Sequence, residues 1–150
     1  IDLVVSLAPI HHATDEEQVT WFKACNRVLR QDGVLAFAEV DQGSNLHRFL
    51  DGFVGAHTPT GHTGNYLKDD MVSTLKAAGF VEVKTHLHQT SWKFSNLQHM
   101  GNFLASALAI QHSPEAIVDE AIRELGVRHE GESVVLNWPL RYVRASKTEI

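Results

Sequence analysis

Cysteine is almost absent from this sequence, and long apolar runs are missing altogether. Cys25 is the only cysteine in 150 residues, which excludes an intrachain disulfide and a multi-cysteine zinc or iron–sulfur site. The longest fully apolar stretches, such as residues 34–38, are far shorter than the ~20 residues of a membrane-spanning helix. We therefore expect a cytoplasmic protein of a reducing compartment with no membrane partner.

Blocks of basic residues are also missing. The chain contains 13 Lys+Arg against 18 Asp+Glu, a formal net charge of -5, which argues against nucleic-acid binding driven by phosphate contacts. The apolar fraction of 43% and the charged fraction of 21% are those of an ordinary globular chain, one domain or most of one. We expect no nucleic-acid partner.

The first forty residues predict a strand, a helix and a second strand. Residues 3–8 and 34–40 are mainly apolar, as in a parallel sheet that helices cover on both faces. Thr14 and Glu17 have the spacing of a capping box at the start of the helix between them. Together these elements predict a right-handed βαβ unit.

The next part of the chain has weaker periodicity. Residues 51–65 contain four glycines and Pro59, which predicts a mobile loop after a short helix over residues 46–53. The elements expected after this loop are a helix from Asp70 to a left-handed Gly79, one strand over residues 80–94, helices over residues 96–110 and 113–126, and a last strand over residues 134–145 with a bulge or an edge at Pro139.

Three segments resemble one family in that family's order. Residues 2–12, DLVVSLAPIHH, resemble the fourth-strand motif of class I S-adenosylmethionine-dependent methyltransferases. Residues 27–35, RVLRQDGVL, resemble the segment that leads into their fifth strand. Residues 67–80, LKDDMVSTLKAAGF, resemble the helix and turn before the sixth. The resemblance covers about residues 1–90, and the last predicted strand fits a seventh.

The resemblance implies an α/β fold with a Rossmann-like methyltransferase sheet. Strands four, five, seven and six are expected side by side, the seventh reversed, with a helical pair added between strands six and seven at about residues 95–130. The family's G-x-G cofactor loop does not occur in this sequence. We therefore expect residues 1–150 to be the C-terminal portion of such a domain, with the native N-terminus upstream of Ile1.

The resemblance also implies transfer of a methyl group from S-adenosylmethionine to a small-molecule acceptor. In the family, residues at the end of strand four line the methionine and sulfonium portion of the cofactor, which points to Ser6, Leu7 and Ala8; the alternative is that these are plain core residues. A rival hypothesis is a non-catalytic, methyltransferase-like binding or assembly domain in which the helical pair contacts a partner.

Candidate catalytic residues follow the two parallel strands, where ligands of open α/β sheets bind. His12 can take a proton near neutral pH, and Asp41 can bind or deprotonate a substrate hydroxyl. The alternatives are a loop histidine that satisfies backbone groups and an aspartate that caps a turn. His11, His57 and Tyr66 are the candidate substrate-binding residues.

Ten histidines raise the question of a metal site. The pair His57 and His62 lies in the glycine-rich loop, and the pair His86 and His88 shares one face of a strand, but a site needs a third ligand and supporting partners. We expect no metal. The apolar helix over residues 96–110 is expected to pack on the sheet and on the next helix, with a substrate lid or a homodimer surface as alternatives.

Overall fold

The computed structural model describes residues 1–147, which divide into two compact units. Unit 1 contains Ile1–Gln42, Asn65–His88 and the described residues from Leu140 onward. Unit 2 contains Gly43–Gly64 and Gln89–Pro139. Each unit has a sheet and helices of its own, so the predicted α/β class is confirmed.

The regular elements follow one another along the chain in this order: β1 (Leu3–Leu7), a 3₁₀ turn (Ile10–His12), α1 (Asp15–Val28), β2 (Val34–Glu39), α2 (Asn45–Arg48), a π-helical turn (Phe49–Val54), α3 (Gly55–His57), α4 (Met71–Ala77), β3 (Glu82–His88), β4 (Ser91–Phe94), α5 (Leu97–Ala107), α6 (Pro114–Leu125), β5 (Val127–Glu130), β6 (Ser133–Asn137) and β7 (Leu140–Ser146). No helix within residues 1–147 has the length and apolar character needed to cross a membrane.

Unit 1 is built on a four-stranded sheet of order β1-β2-β7-β3. β1 and β2 are parallel, with Leu3 opposite Val34, whereas β7 runs antiparallel to both β2 and β3. α1 connects the two parallel strands, so the predicted βαβ unit is present. Buried side chains from α1, α4, the sheet and the turn before β3 form the core: Phe22, Cys25, Leu35, Phe37, Leu75, Phe80 and Val143.

β1 lies at an edge of this sheet, and one of its faces is exposed. Leu3, Val5 and Leu7 are 52%, 68% and 68% exposed, whereas Val4 packs against the core. The prediction that helices cover both faces of this strand is therefore wrong. Among the described residues, only the face that carries Val4 is covered.

Helix boundaries follow the capping signals of the sequence. Thr14 Oγ1 accepts the amide hydrogen of Glu17 at 3.3 Å, and the Glu17 carboxylate accepts that of Thr14 at 2.8 Å, which confirms the capping box. Gly79 has a φ of +98°, the left-handed conformation predicted for it. Ser113 caps α6, with Pro114 in its first turn.

Two strands that were predicted to be continuous are each broken in two. Residues 80–94 form β3 and β4, residues 134–145 belong to β6 and β7, and one strand of each pair lies in each unit. At the second break, the Trp138 amide donates to the carbonyl oxygen of Thr90 at 2.7 Å, and Pro139 has no amide hydrogen to continue a ladder. Strand-like composition continues through both breaks, so it could not reveal them.

Unit 2 has an antiparallel sheet of order β4-β6-β5 with α5 and α6. The two helices lie within residues 95–130 and approach closely at Gly101, where an added Cβ would lie 2.6 Å from the carbonyl oxygen of Pro114. The helix predicted over residues 46–53 is longer, because it continues through the π-helical turn to His57. The irregular loop therefore begins at Thr58.

Candidate functional site

The carboxyl ends of β1 and β2 lie side by side because the two strands are parallel. Glu39 ends β2, and the amide of Ala8, just after β1, donates to the carbonyl oxygen of Ala38 at 2.8 Å. Ala8 has a φ of +54°, a conformation that a residue with a Cβ keeps only when its surroundings hold it there. The chain then enters the 3₁₀ turn that carries His11 and His12.

Glu39 is a fully buried carboxylate at this edge, with 0% of its surface exposed. Its Oε2 accepts hydrogen bonds from the amides of Ile10 at 2.8 Å and His11 at 3.3 Å. Its Oε1 accepts from the Val40 amide at 2.9 Å and from His11 Nδ1 at 2.7 Å. Four donors thus offset the cost of burying this group. Because Nδ1 donates, a neutral His11 has its lone pair on Nε2.

His11 and His12 have different surroundings. The His11 side chain is 6% exposed, and its ring stacks on Tyr66 with centroids 5.2 Å apart. His12 is exposed, its ring lies 4.1 Å from that of His11, and it borders a cavity of about 440 Å³. Small-molecule sites have volumes in this range, so the open surface beside His12 is a candidate binding surface.

Asp41 follows β2 and is bound by Arg141 of β7. Arg141 Nε donates to Oδ1 and Nη2 donates to Oδ2, both at 2.5 Å, which is a bidentate guanidinium–carboxylate pair. The hydrogen bonds to Asp41 raise the pKa of Arg141 above its ordinary value. Asp41 therefore has a structural partner in unit 1, and its catalytic role stays a prediction.

The remaining predicted site residues lie in both units. Ser6 and Ala8 are half-buried at the end of β1, where Leu7 is exposed. His57 belongs to unit 2, where its Nδ1 donates to the carbonyl oxygen of Phe53 at 2.8 Å. The structure thus brings His11, His12 and Tyr66 together in unit 1. His57 belongs to unit 2 and is bound there to the backbone of Phe53.

Glu39 is the residue of this edge that sequence reasoning missed. A glutamate at the end of an apolar strand was the available signal, because a buried carboxylate needs donors around it. Its partners Ile10 and His11 lie 29 and 28 positions away in the sequence, so no local spacing identifies them.

Unit 2 carries a second histidine–carboxylate group, on the π-helical turn. Asp51 Oδ1 lies 3.0 Å from Nδ1 of His62, and Oδ2 lies 3.5 Å from Nε2 of His47. The Gly64 amide donates to both oxygens, at 3.1 and 3.3 Å. π-helical turns occur frequently at functional sites. Sequence reasoning considered His62 only beside His57 and did not single out Asp51.

Within either unit taken alone, no three described His, Cys, Asp or Glu side chains converge closely enough to share a metal ion. His57 and His62 bind different oxygens, those of Phe53 and Asp51. The rings of His86 and His88 both pack against Tyr142 across β3 and β7. The histidine pairs 57/62 and 86/88, which the sequence offered as metal ligands, thus have other contacts in the structure.

No family model matches the chain, and no curated protein matches its sequence. One similar solved structure is that of a Bacillus halodurans protein assigned as a methyltransferase. It matches with a TM-score of 0.59 and 16% identity, over 99% of this chain and 70% of that one. The YcgJ protein of Bacillus subtilis matches with a TM-score of 0.59 and 13% identity, over 99% of this chain and 65% of that one.

A third match is phosphoethanolamine N-methyltransferase 2 of Haemonchus contortus, solved with phosphomonomethylethanolamine and S-adenosylhomocysteine. Its TM-score is 0.51 and its identity 16%, over 99% of this chain and 34% of that one. The chain thus spans between about one third and 70% of these three proteins. At such low identities the likeness shows the fold, and this fold is that of the class I methyltransferases.

Proposed function

We propose that this chain is part of an enzyme that transfers a methyl group from S-adenosylmethionine to a small-molecule acceptor. The observation that carries the proposal is the carboxyl edge of β1 and β2, where a turn with two histidines is fixed by a buried carboxylate in a sheet with the methyltransferase fold. In open α/β sheets, ligands bind at this edge.

The order of the strands supports the proposal. The observed order is β1-β2-β7-β3, with the first two parallel and β7 reversed. We propose that these strands correspond to strands four, five, seven and six of the methyltransferase sheet. With this assignment, α5 and α6, which lie between β3 and β7 in the chain, are proposed to be the helical pair added between strands six and seven. In this proposal, residues 1–150 supply the C-terminal portion of the domain.

Ser6, Leu7 and Ala8 are the residues proposed to line the methionine and sulfonium portion of the cofactor. Two small side chains leave room for a ligand near the backbone, and the exposed Leu7 offers apolar surface. These features fit one end of the cofactor, which when bound supplies an electrophilic methyl group. The G-x-G loop that in the family also holds the methionine end does not occur in this sequence, so we assign these three residues only part of the site.

The turn after β1 is proposed to face the methyl acceptor. Glu39 positions the turn through the amides of Ile10 and His11, and His11 rests on Tyr66. His12 borders the cavity and is proposed to contact the acceptor there. These residues orient the acceptor and exclude water, which is much of what an in-line methyl transfer requires.

Thermal stabilisation by S-adenosylhomocysteine tests the proposal. The melting temperature of the full-length protein should rise with the concentration of this product, because a ligand that binds only the folded state adds stability as RT ln(1 + [L]/Kd). Adenosine at the same concentrations is the control for non-specific nucleoside binding. An unchanged melting temperature at saturating S-adenosylhomocysteine would favour the non-catalytic binding or assembly domain instead.

A further inference from the structure

Two side chains of α1 border the cavity beside His12. This cavity of about 440 Å³ lies within unit 1, and its lining residues are Pro9, Ile10, His12, Ala13, Glu17 and Trp21. Glu17 and Trp21 are four positions apart on the helix, so their side chains lie on the same helix face. No lysine or arginine of the described chain is among the lining residues. A carboxylate and an indole therefore lie next to each other on a surface without a cationic Lys or Arg side chain.

The carboxylate of Glu17 is fixed by the capping box. Its Oε2 accepts hydrogen bonds from the Thr14 amide at 2.8 Å and from the Thr14 hydroxyl at 2.9 Å. The bond from the amide, and then the one from the hydroxyl, lower the pKa of Glu17, so this exposed group is negatively charged at neutral pH. Within residues 1–147 it forms no ion pair with a lysine or arginine. The negative charge thus has a defined position at the cavity and no cationic partner in the described chain.

The indole of Trp21 is held in place by other aromatic rings. It packs edge-on against Phe22, with ring centroids 5.4 Å apart, and against Phe37, with centroids 6.1 Å apart. Trp21 is half-buried and contacts the core of unit 1, so binding a ligand requires little further ordering of this side chain. Aromatic rings attract cations through the negative charge of their faces, and tryptophan does so most strongly.

We propose that this cavity binds an ammonium group of the methyl acceptor, with the Glu17 carboxylate as its counter-ion and the Trp21 ring beside it. This inference rests on the proposed function and adds the class of acceptor, an amine that is protonated at neutral pH.

Charge complementarity decides the class of ligand. An ammonium group gains a charge-assisted hydrogen bond from the Glu17 carboxylate and a cation–π contact from the Trp21 ring. A neutral molecule of the same shape gains neither of these interactions, and an anion is repelled by Glu17. The assignment concerns recognition of the acceptor by its charge, whichever of its atoms receives the methyl group.

Titration of the full-length protein with n-butylammonium, observed by NMR of the indole N–H groups, tests this inference. At pH 8 a primary alkylamine is still protonated, whereas an ordinary imidazole is neutral. We expect n-butylammonium to shift the Trp21 resonance until the site is saturated. Butan-1-ol and butyrate, which have the same chain length without the positive charge, should bind roughly tenfold more weakly. Trp138, which is 7% exposed, is the control whose resonance should stay in place.

Two substitutions in the first turn of α1 form a matched pair. Glu17→Gln removes the charge but keeps the capping box, in which glutamine also serves. It should raise the dissociation constant of n-butylammonium roughly threefold to fivefold. Glu16→Gln removes an exposed charge of the same turn that does not line the cavity, and it should change this constant by less than about twofold. Equal dissociation constants in the two variants overturn the proposal.

The same titration, repeated with saturating S-adenosylhomocysteine, separates this inference from the proposed function. Equal affinity for n-butylammonium, butan-1-ol and butyrate overturns the ammonium site, and so does a Trp21 resonance that n-butylammonium does not shift. Both results hold whether or not S-adenosylhomocysteine binds. A protein that binds n-butylammonium selectively but does not bind S-adenosylhomocysteine contradicts the proposed function instead, while the ammonium site itself is confirmed.

Discussion

At the scale of single residues, Glu39 is the side chain on which the carboxyl edge of unit 1 depends. We expect Glu39→Gln to destabilise the protein by roughly 3–5 kcal/mol, the usual cost of breaking a buried charged network. The amide that replaces one oxygen brings hydrogen atoms toward groups that already donate, such as the Val40 amide and His11 Nδ1. Urea unfolding followed by circular dichroism measures the change in the free energy of unfolding.

Glu16→Gln is the matched control for that substitution. Glu16 is exposed in the first turn of α1, so its exchange should change the free energy of unfolding by no more than about 0.5 kcal/mol. If Glu39→Gln proves as stable as Glu16→Gln, the four hydrogen bonds described for Glu39 do not hold the turn.

For His11 and His12, the sequence predicted the position of the side chains but not their surroundings. Both follow a predicted strand, so the sequence places both near the ligand edge. It could not show that His11 is buried on Glu39 while His12 borders a cavity, because that depends on a carboxylate of another strand. A substitution of His11 is therefore no silent control for one of His12, since it removes a donor from Glu39.

At the scale of elements, the start of α1 links stability to pH. The hydrogen bond from the Thr14 amide, and to a smaller extent the one from its hydroxyl, hold the pKa of Glu17 below its ordinary value of 4.5. A carboxyl pKa that is lower in the folded state adds stability above pH 4.5, and that stability is lost as the pH falls through the folded-state pKa. We expect Thr14→Ala to cost about 1 kcal/mol and to weaken the loss of stability in acid, as measured by melting temperatures from pH 7 to pH 3.

Ser113→Ala is the comparison for that variant. Ser113 caps α6 through the amide of Ala116, a residue that cannot titrate. The Ser113→Ala variant should lose a similar amount of stability at neutral pH. Its melting temperature should fall in acid as much as that of the wild type. An identical acid dependence in Thr14→Ala and Ser113→Ala would contradict the role given to the capping box.

Helices could be predicted better than strands, and the reason is physical. Capping residues such as Thr14 and Ser113 act within four positions of the helix that they start, so the local sequence contains the signal. Partners of a strand are distant in the sequence: β2 pairs with β7, about one hundred residues later. Nothing within residues 80–94 indicates that β3 and β4 join different sheets.

At the scale of the whole molecule, the α/β class could be predicted, but the division into two units could not. The βαβ pattern of the first forty residues indicates a parallel pair with a connecting helix, and this pair is present in unit 1. Unit 2 combines Gly43–Gly64 with Gln89–Pro139, two segments that are far apart in the sequence. Only their contacts, such as Asn45 Nδ2 donating to the carbonyl oxygen of Glu124 at 2.8 Å, bring them together.

Amide chemical-shift mapping of the full-length protein with S-adenosylhomocysteine tests whether the carboxyl end of β1 contacts the cofactor, as proposed. We predict that the amides of Ser6, Leu7 and Ala8 shift in proportion to the bound fraction, because these residues are proposed to line the methionine end. The amides of β5 (Val127–Glu130) should stay in place. If saturating S-adenosylhomocysteine leaves the amide resonances of Ser6, Leu7 and Ala8 unchanged, the end of β1 does not line the cofactor.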